Sequence, residues 1–168
     1  MKTRFKGKYI SWLAMFTALS VVGASLKIPA MITSVALDAF PALLAGALLG
    51  GGAGAIVGAA GHLLSALLGG FPLGPLHFLV AGEMAVLCWL FAVLYRSKHR
   101  LLAGIMFIIG NALIAPIPFI FLISKAFYVG MLPSLLIGSS LNTVIALVII
   151  PRLVSLVSFG MLKGEAKR

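Results

Sequence analysis

Only three carboxylates occur among the 168 residues, and two of them, Asp38 and Glu83, stand in or beside long uncharged apolar runs. A carboxylate in such a setting has lost its water, so its first reading is a group that receives a ligand. The other polar side chains isolated in these runs are His62, His77, Asn111, Ser139 and Asn142. Acids, imidazoles, amides and a hydroxyl make a set suited to hydrogen-bonding a small polar molecule. Ser139 and Asn142 are spaced to share one helical face. Asp38 reads equally well as a helix N-cap, and each imidazole or amide also reads as a bond between helices.

The same residues do not form a catalytic constellation by their spacing. The glycine run at 50–52 is followed by no lysine, there is no HExxH pair, and the acids are too few for a phosphotransferase built on several aspartates. Ser139 could be matched with His62 or His77 as an intramembrane hydrolase only by assumption. The one cysteine, Cys88, has no ligand partners nearby and reads as a small buried apolar group. Neither a cofactor nor a metal is expected, and the chain is read as a binding protein rather than an enzyme. No run of intramembrane acids or inverted repeat supplies energy coupling, so transport would need other subunits.

The elements that must position these groups follow from composition. The chain is 62% hydrophobic and 10% charged, too apolar for a water-soluble globule, whose surface needs far more charge. The expectation is an all-α integral membrane protein, a compact bundle of six transmembrane helices in a single domain over 1–168. The spans run at about 9–26, 37–49, 53–68, 76–95, 101–124 and 131–157. The net charge of +10 is gathered between spans rather than along one face, which argues against nucleic acid. Lys2, Arg4, Lys6 and Lys8 precede the first span, Arg96, Lys98 and Arg100 follow the fourth, and Lys163, Lys167 and Arg168 close the chain. An even number of spans puts all three clusters on one side, the cytoplasm, and leaves Lys27 and Lys125 outside. A basic start before an apolar stretch ending Gly23-Ala24-Ser25 also fits a cleaved leader, but the small residues within this span favour its retention.

Small residues foretell close packing. Gly46, Gly50, Gly54 and Gly58 recur every four residues and Gly61 continues the series, so spans two and three form a tight hairpin turned by Gly50-Gly51-Gly52. Ala14 and Ala18, followed by Ser20 and Ala24, make a small-residue ridge on span one, either for packing within the bundle or for docking another membrane subunit. Pro116 and Pro118 interrupt span five, and Phe71-Pro72-Leu73-Gly74-Pro75 makes a rigid outer loop. Backbone freed at such breaks tends to line cavities. Phe71, Phe78, Phe119 and Tyr128 could cover a flat ligand.

With its size, six spans, Ala14-x-x-x-Ala18 and the stretch from Gly50 to Leu64 leading into a Pro/Gly-rich loop, the chain resembles the substrate-binding S components of energy-coupling factor (ECF) transporters. The resemblance covers nearly the whole chain. It implies a ligand pocket near the outer face. It also implies that Ala14 and Ala18 dock a transmembrane T subunit, which works with two cytoplasmic ATPases, and that the S component topples to release its cargo. The segments Asp38–Gly52 and His62–His77 are similar to the α-ribazole transporters of Gram-positive bacteria, which implies a nucleoside precursor of cobamides as ligand. Riboflavin and pantothenate are the alternatives, and an anionic vitamin such as pantothenate would want Lys27 or Lys125 in the pocket.

Overall fold

The computed structural model describes residues 2–29 and 34–165. Helix α1 (Lys2–Ser25) leads into a small antiparallel hairpin, β1 (Lys27–Pro29) and β2 (Ser34–Ala36), with Lys27 opposite Ala36 and Ile28 opposite Val35. Helices α2 (Phe40–Leu49), α3 (Gly51–Leu68) and α4 (Leu76–Arg96) follow. The fifth span is composite: α5 (Arg100–Ile109), a π-helical segment (Gly110–Ile114) and α6 (Pro118–Leu122). Helix α7 (Lys125–Glu165) completes the bundle. Helices α3 and α4, the composite span and Lys125–Val154 of α7 are each long and apolar enough to cross a membrane. The fold is therefore the expected all-α bundle of six helices, with large apolar side chains such as Ile10, Leu67, Phe78, Leu101 and Phe121 on its outside.

Three features depart from the sequence reading. Lys27–Pro29 and Ser34–Ala36 pair as strands where no strand was expected. Of the three glycines assigned to the α2–α3 turn, only Gly50 makes it, at φ 109°. Gly51 and Gly52 are already helical, and a Cβ on Gly51 would strike the Trp89 ring. Finally, α7 begins at Lys125, inside what was read as an outer loop.

The glycine series sets the centre of the bundle. A Cβ on Gly54 would lie 2.9 Å from Gly46 Cα and 3.0 Å from the Cys88 carbonyl. One on Gly58 would meet Cys88 Sγ at 2.9 Å and the Met84 carbonyl at 3.0 Å. Helices α2, α3 and α4 thus meet backbone against backbone, and Gly61 brings α1 in through Ser20. Cys88, fully buried, is packing material in this seam, as its lone apolar setting suggested.

Helix α2 is only about 15 Å long at 1.5 Å per residue, half of a bilayer core. Its C-terminal end lies by the end of α4, where Arg96 Nη1 donates to the Ala47 carbonyl at 3.1 Å. Its N-terminal end therefore stops inside the bundle, and residues 37–39 descend from the hairpin to reach it. Ala39, at that end, is 5% exposed. Irregular backbone at this depth is tolerated only where protein or a polar cavity satisfies it.

Candidate functional site

Two adjoining cavities open beneath the hairpin and the 69–75 turn. The wider, of about 380 Å³, is walled by α3, α4, the composite span and the first turns of α7. The narrower, of about 220 Å³, lies between the 36–39 segment, the π-helical segment and α7. His62, Val80, Asn111, Met131 and Leu135 line both, so the two are chambers of one site. Every polar residue singled out in the sequence borders it. His77 and Glu83 line the wider chamber, Asp38, Ser139 and Asn142 the narrower, and His62 and Asn111 both.

Asp38 is not at the outer face, where the apolar pattern seemed to start span two. It sits at the buried start of α2, where the Ser65 hydroxyl meets its carboxyl. The N-cap residue of α2 is Ala39, one past Asp38, and its methyl group can make no cap bond. That task falls to Asn142 on α7. Its Oδ1 accepts the Ala39 and Phe40 N–H groups at 3.1 and 2.8 Å. Its Nδ2 donates to the Ala36 and Gly138 carbonyls at 3.0 and 2.9 Å. Both lone pairs and both protons of the amide are spent on backbone, so Asn142 has nothing left for a ligand. Asn142, read from the sequence as a substrate contact, borders the narrower chamber with its amide engaged in holding the chamber wall.

Removing that amide should be felt as lost stability. Asn142→Ala orphans two buried N–H groups at about 1–3 kcal/mol each, and a lowered unfolding midpoint in detergent checks this. Asn142→Asp, which keeps the acceptor, should recover part of the loss. Equal midpoints for Asn142→Ala and wild type would remove the clamp.

Asn111 lies in the π-helical segment, where Ala115 N–H bonds to the Gly110 carbonyl at 2.7 Å. Such a turn adds a residue and re-aims the side chains that follow. A Cβ on Gly110 would meet the Leu87 side-chain tip, so the glycine lets this segment lie against Leu87 of α4 without that side chain moving aside. Asn111 Nδ2 donates to Ser139 Oγ at 2.8 Å, linking the composite span to α7 across the narrower chamber. Pro116, beyond the π turn, lines the wider chamber.

Glu83 is half-buried on α4, with no hydrogen-bond or ionic partner among the described residues. It borders the wider chamber on one side and, on the other, a groove between α4 and the composite span that holds Phe78 and Pro118. His62 Nε2 lies 3.1 Å from His77 Nδ1, and the Leu73 N–H donates to His77 Nε2 at 3.2 Å. The Phe71 ring packs 4.8 Å from the His77 ring.

Of the aromatic residues proposed to cover a ligand, Phe119 alone lines a chamber. Phe71 braces His77, Phe78 faces outward at 65% exposure, and the Tyr128 hydroxyl donates to the Leu113 carbonyl at 3.2 Å. Phe127, which the sequence reading passed over, stands 6.1 Å from Phe119 and shares its wall. Ser134 was also missed. It borders the narrower chamber with a buried hydroxyl that has no partner among the described residues. Its spacing of four from Gly138 and eight from Asn142 would have revealed it, but adjacent Pro133 made the region read as the edge of a loop.

Among the described residues, no lysine or arginine side chain lines either chamber. Lys125 lies exposed at the start of α7, and the side chain of Lys27 lies outside the described residues. The α1 ridge is divided by the helix. Ala14 and Ala18 are exposed, whereas Ser20 and Ala24 are buried in the bundle.

The S component of a bacterial ECF transporter has a similar fold, with a TM-score of 0.69 at 18% sequence identity, covering 90% of this chain and 98% of that one. No curated protein sequence matches the chain. The family model "ECF transporter, substrate-specific component" matches residues 8–162. The chain therefore belongs to the substrate-specific S components of ECF importers, multi-pass membrane subunits that bind a small molecule and carry no catalysis of their own.

Proposed function

We propose that the two chambers capture a neutral, partly aromatic micronutrient from outside the cell, with α-ribazole the first candidate. The observation that carries this reading is the lining: apolar walls with Phe119 and Phe127 on one side, acids, imidazoles and amides on the other, and, among the described residues, no lysine or arginine. Carboxylates and amides suit the hydroxyls of a ribose, and the apolar wall suits a benzimidazole base. An anion such as pantothenate would face Asp38 and Glu83 with no lysine or arginine among the described residues to offset them. The cavity volume of about 380 Å³ for the wider chamber is in the range of small-molecule sites. Asp38, His62, Glu83, Asn111 and Ser139 are the proposed contacts, with His77 and Asn142 behind them.

The chambers open at the end of the bundle opposite Arg96, Lys98 and Arg100. The positive-inside rule then puts those residues and both termini in the cytoplasm and the chambers outside. Residues 1–168 act as one membrane unit in this reading. Exposed Ala14 and Ala18 offer α1 to a transmembrane T subunit, which is coupled to two ATPases.

Titration of the purified chain with α-ribazole, riboflavin and pantothenate tests the ligand. Saturable binding of α-ribazole is expected, with pantothenate silent. Glu83→Gln should weaken that binding about tenfold or more, the usual worth of a hydrogen bond to a charged group. Preference for pantothenate would overturn the charge argument, and a folded chain that binds none of the three would remove the assignment.

A further inference from the structure

Proton positions in the His62–His77 pair are set by the turn that closes the wider chamber. Because the Leu73 N–H donates to His77 Nε2, that nitrogen is bare. A neutral His77 then carries its proton on Nδ1, which faces His62 Nε2 at 3.1 Å. His62 Nε2 must accept, and the His62 proton is left on Nδ1. A second proton on either ring would set N–H against N–H, at Leu73 or between the imidazoles, so this arrangement requires both rings neutral. His62 Nδ1 has no partner among the described residues, and His62 lines both chambers. The pair is thus a relay running from the backbone of the turn to one N–H at the site. Carboxylates share the chambers that His62 lines, Glu83 in the wider and Asp38 in the narrower.

Resting on the reading of these chambers as the substrate site, we propose that His77 is a positioning residue that fixes His62 as a hydrogen-bond donor, so that the site selects a ligand with a bare ring nitrogen or carbonyl oxygen beside its apolar part. His77 suits this role because it is buried, at 5% exposure, and is held on its other side by the Phe71 ring. Donor groups of the same ligand are left for the two carboxylates.

Two measurements test this. The first is ¹⁵N NMR of the histidine-labelled chain at neutral pH, with exposed His99 as the internal reference for a ring that exchanges tautomers freely. His62 and His77 should both show a protonated Nδ1 and a bare Nε2. His77→Gln, whose amide can accept from Leu73 and donate to His62, should keep the His62 pattern, and His77→Phe should lose it. The second compares α-ribazole with the indole riboside in which CH replaces the bare ring nitrogen. Wild type should prefer α-ribazole by about tenfold or more, because the isostere leaves a buried donor unpaired, and His62→Phe should erase the preference. A His62 proton on Nε2, tautomer averaging like that of His99, or equal affinity for the two ribosides would each overturn the proposal. If neither riboside binds, the ligand named under the proposed function falls, and the NMR arm alone decides the relay. There a fixed Nδ1–H that is lost in His77→Phe supports it, and any other pattern overturns it. A His77→Phe chain that does not fold leaves the wild-type spectrum and the riboside comparison to decide.

Discussion

Gly54→Leu should leave no correctly assembled bundle. The first carbon of any side chain there would come within 2.9 Å of Gly46 Cα and 3.0 Å of the Cys88 carbonyl, both of them backbone that cannot swing aside. Overpacking of a well-filled core costs about 1–3 kcal/mol even when side chains can yield. Here three helices would have to separate, so a larger loss is expected. The measurement is the fraction of monodisperse, cooperatively melting protein recovered from membranes. Gly52, on the same helix, is exposed, and a Cβ there would meet no atom within 4 Å, so Gly52→Leu should behave as wild type. A Gly54→Leu chain as stable as the Gly52→Leu chain would show that the seam between α2, α3 and α4 is not as close as described.

Ala14→Leu combined with Ala18→Leu should abolish uptake while leaving ligand binding intact. Both alanines are exposed on α1, and neither lines a chamber. Leucine side chains there would disturb nothing inside the bundle but would hold a partner helix away from a surface that small residues keep flat. Uptake by cells that also produce the coupling subunits, set beside titration of the purified variant, separates the two effects. Retained uptake would place the docking face elsewhere. Loss of binding as well would mean that the ridge supports the fold. Ser20→Leu makes the contrast, because Ser20 is fully buried and lies against Gly61. That variant should fail to fold.

The sequence exposed the bundle because lipid-facing helices announce themselves by unbroken hydropathy, and it exposed the site because polar groups are scarce in such helices. What stayed hidden was set by distant partners. The start of α2 is defined by an amide more than a hundred positions away, since Ala39 and Asn142 are 103 apart in the chain. Nothing local in 37–40 signals that the helix begins in the interior. The same distance disguised Asn142, whose type suggested ligand contact and whose neighbours make it a clamp. The π turn around Asn111 was illegible because its cause is the fit of Gly110 against Leu87. Ser20 and Ala24 were grouped with Ala14 and Ala18 by residue size, although the turn of a helix sends them to opposite sides.

The glycine seam also divides the molecule mechanically. Backbone-to-backbone packing joins α2, α3 and α4 into a stiff block that carries Asp38, His62, His77 and Glu83. The facing wall, with Asn111, Phe119, Phe127 and Ser139, belongs to the composite span and α7. Hydrogen bonds from Asn111 to Ser139 and from Tyr128 to the Leu113 carbonyl tie that wall together, and the Asn142 clamp ties it to the block. A ligand seated between them would touch two walls of unlike construction, one locked by backbone contact and the other held by side chains, so substitutions on the second wall can reshape the site without disturbing the first.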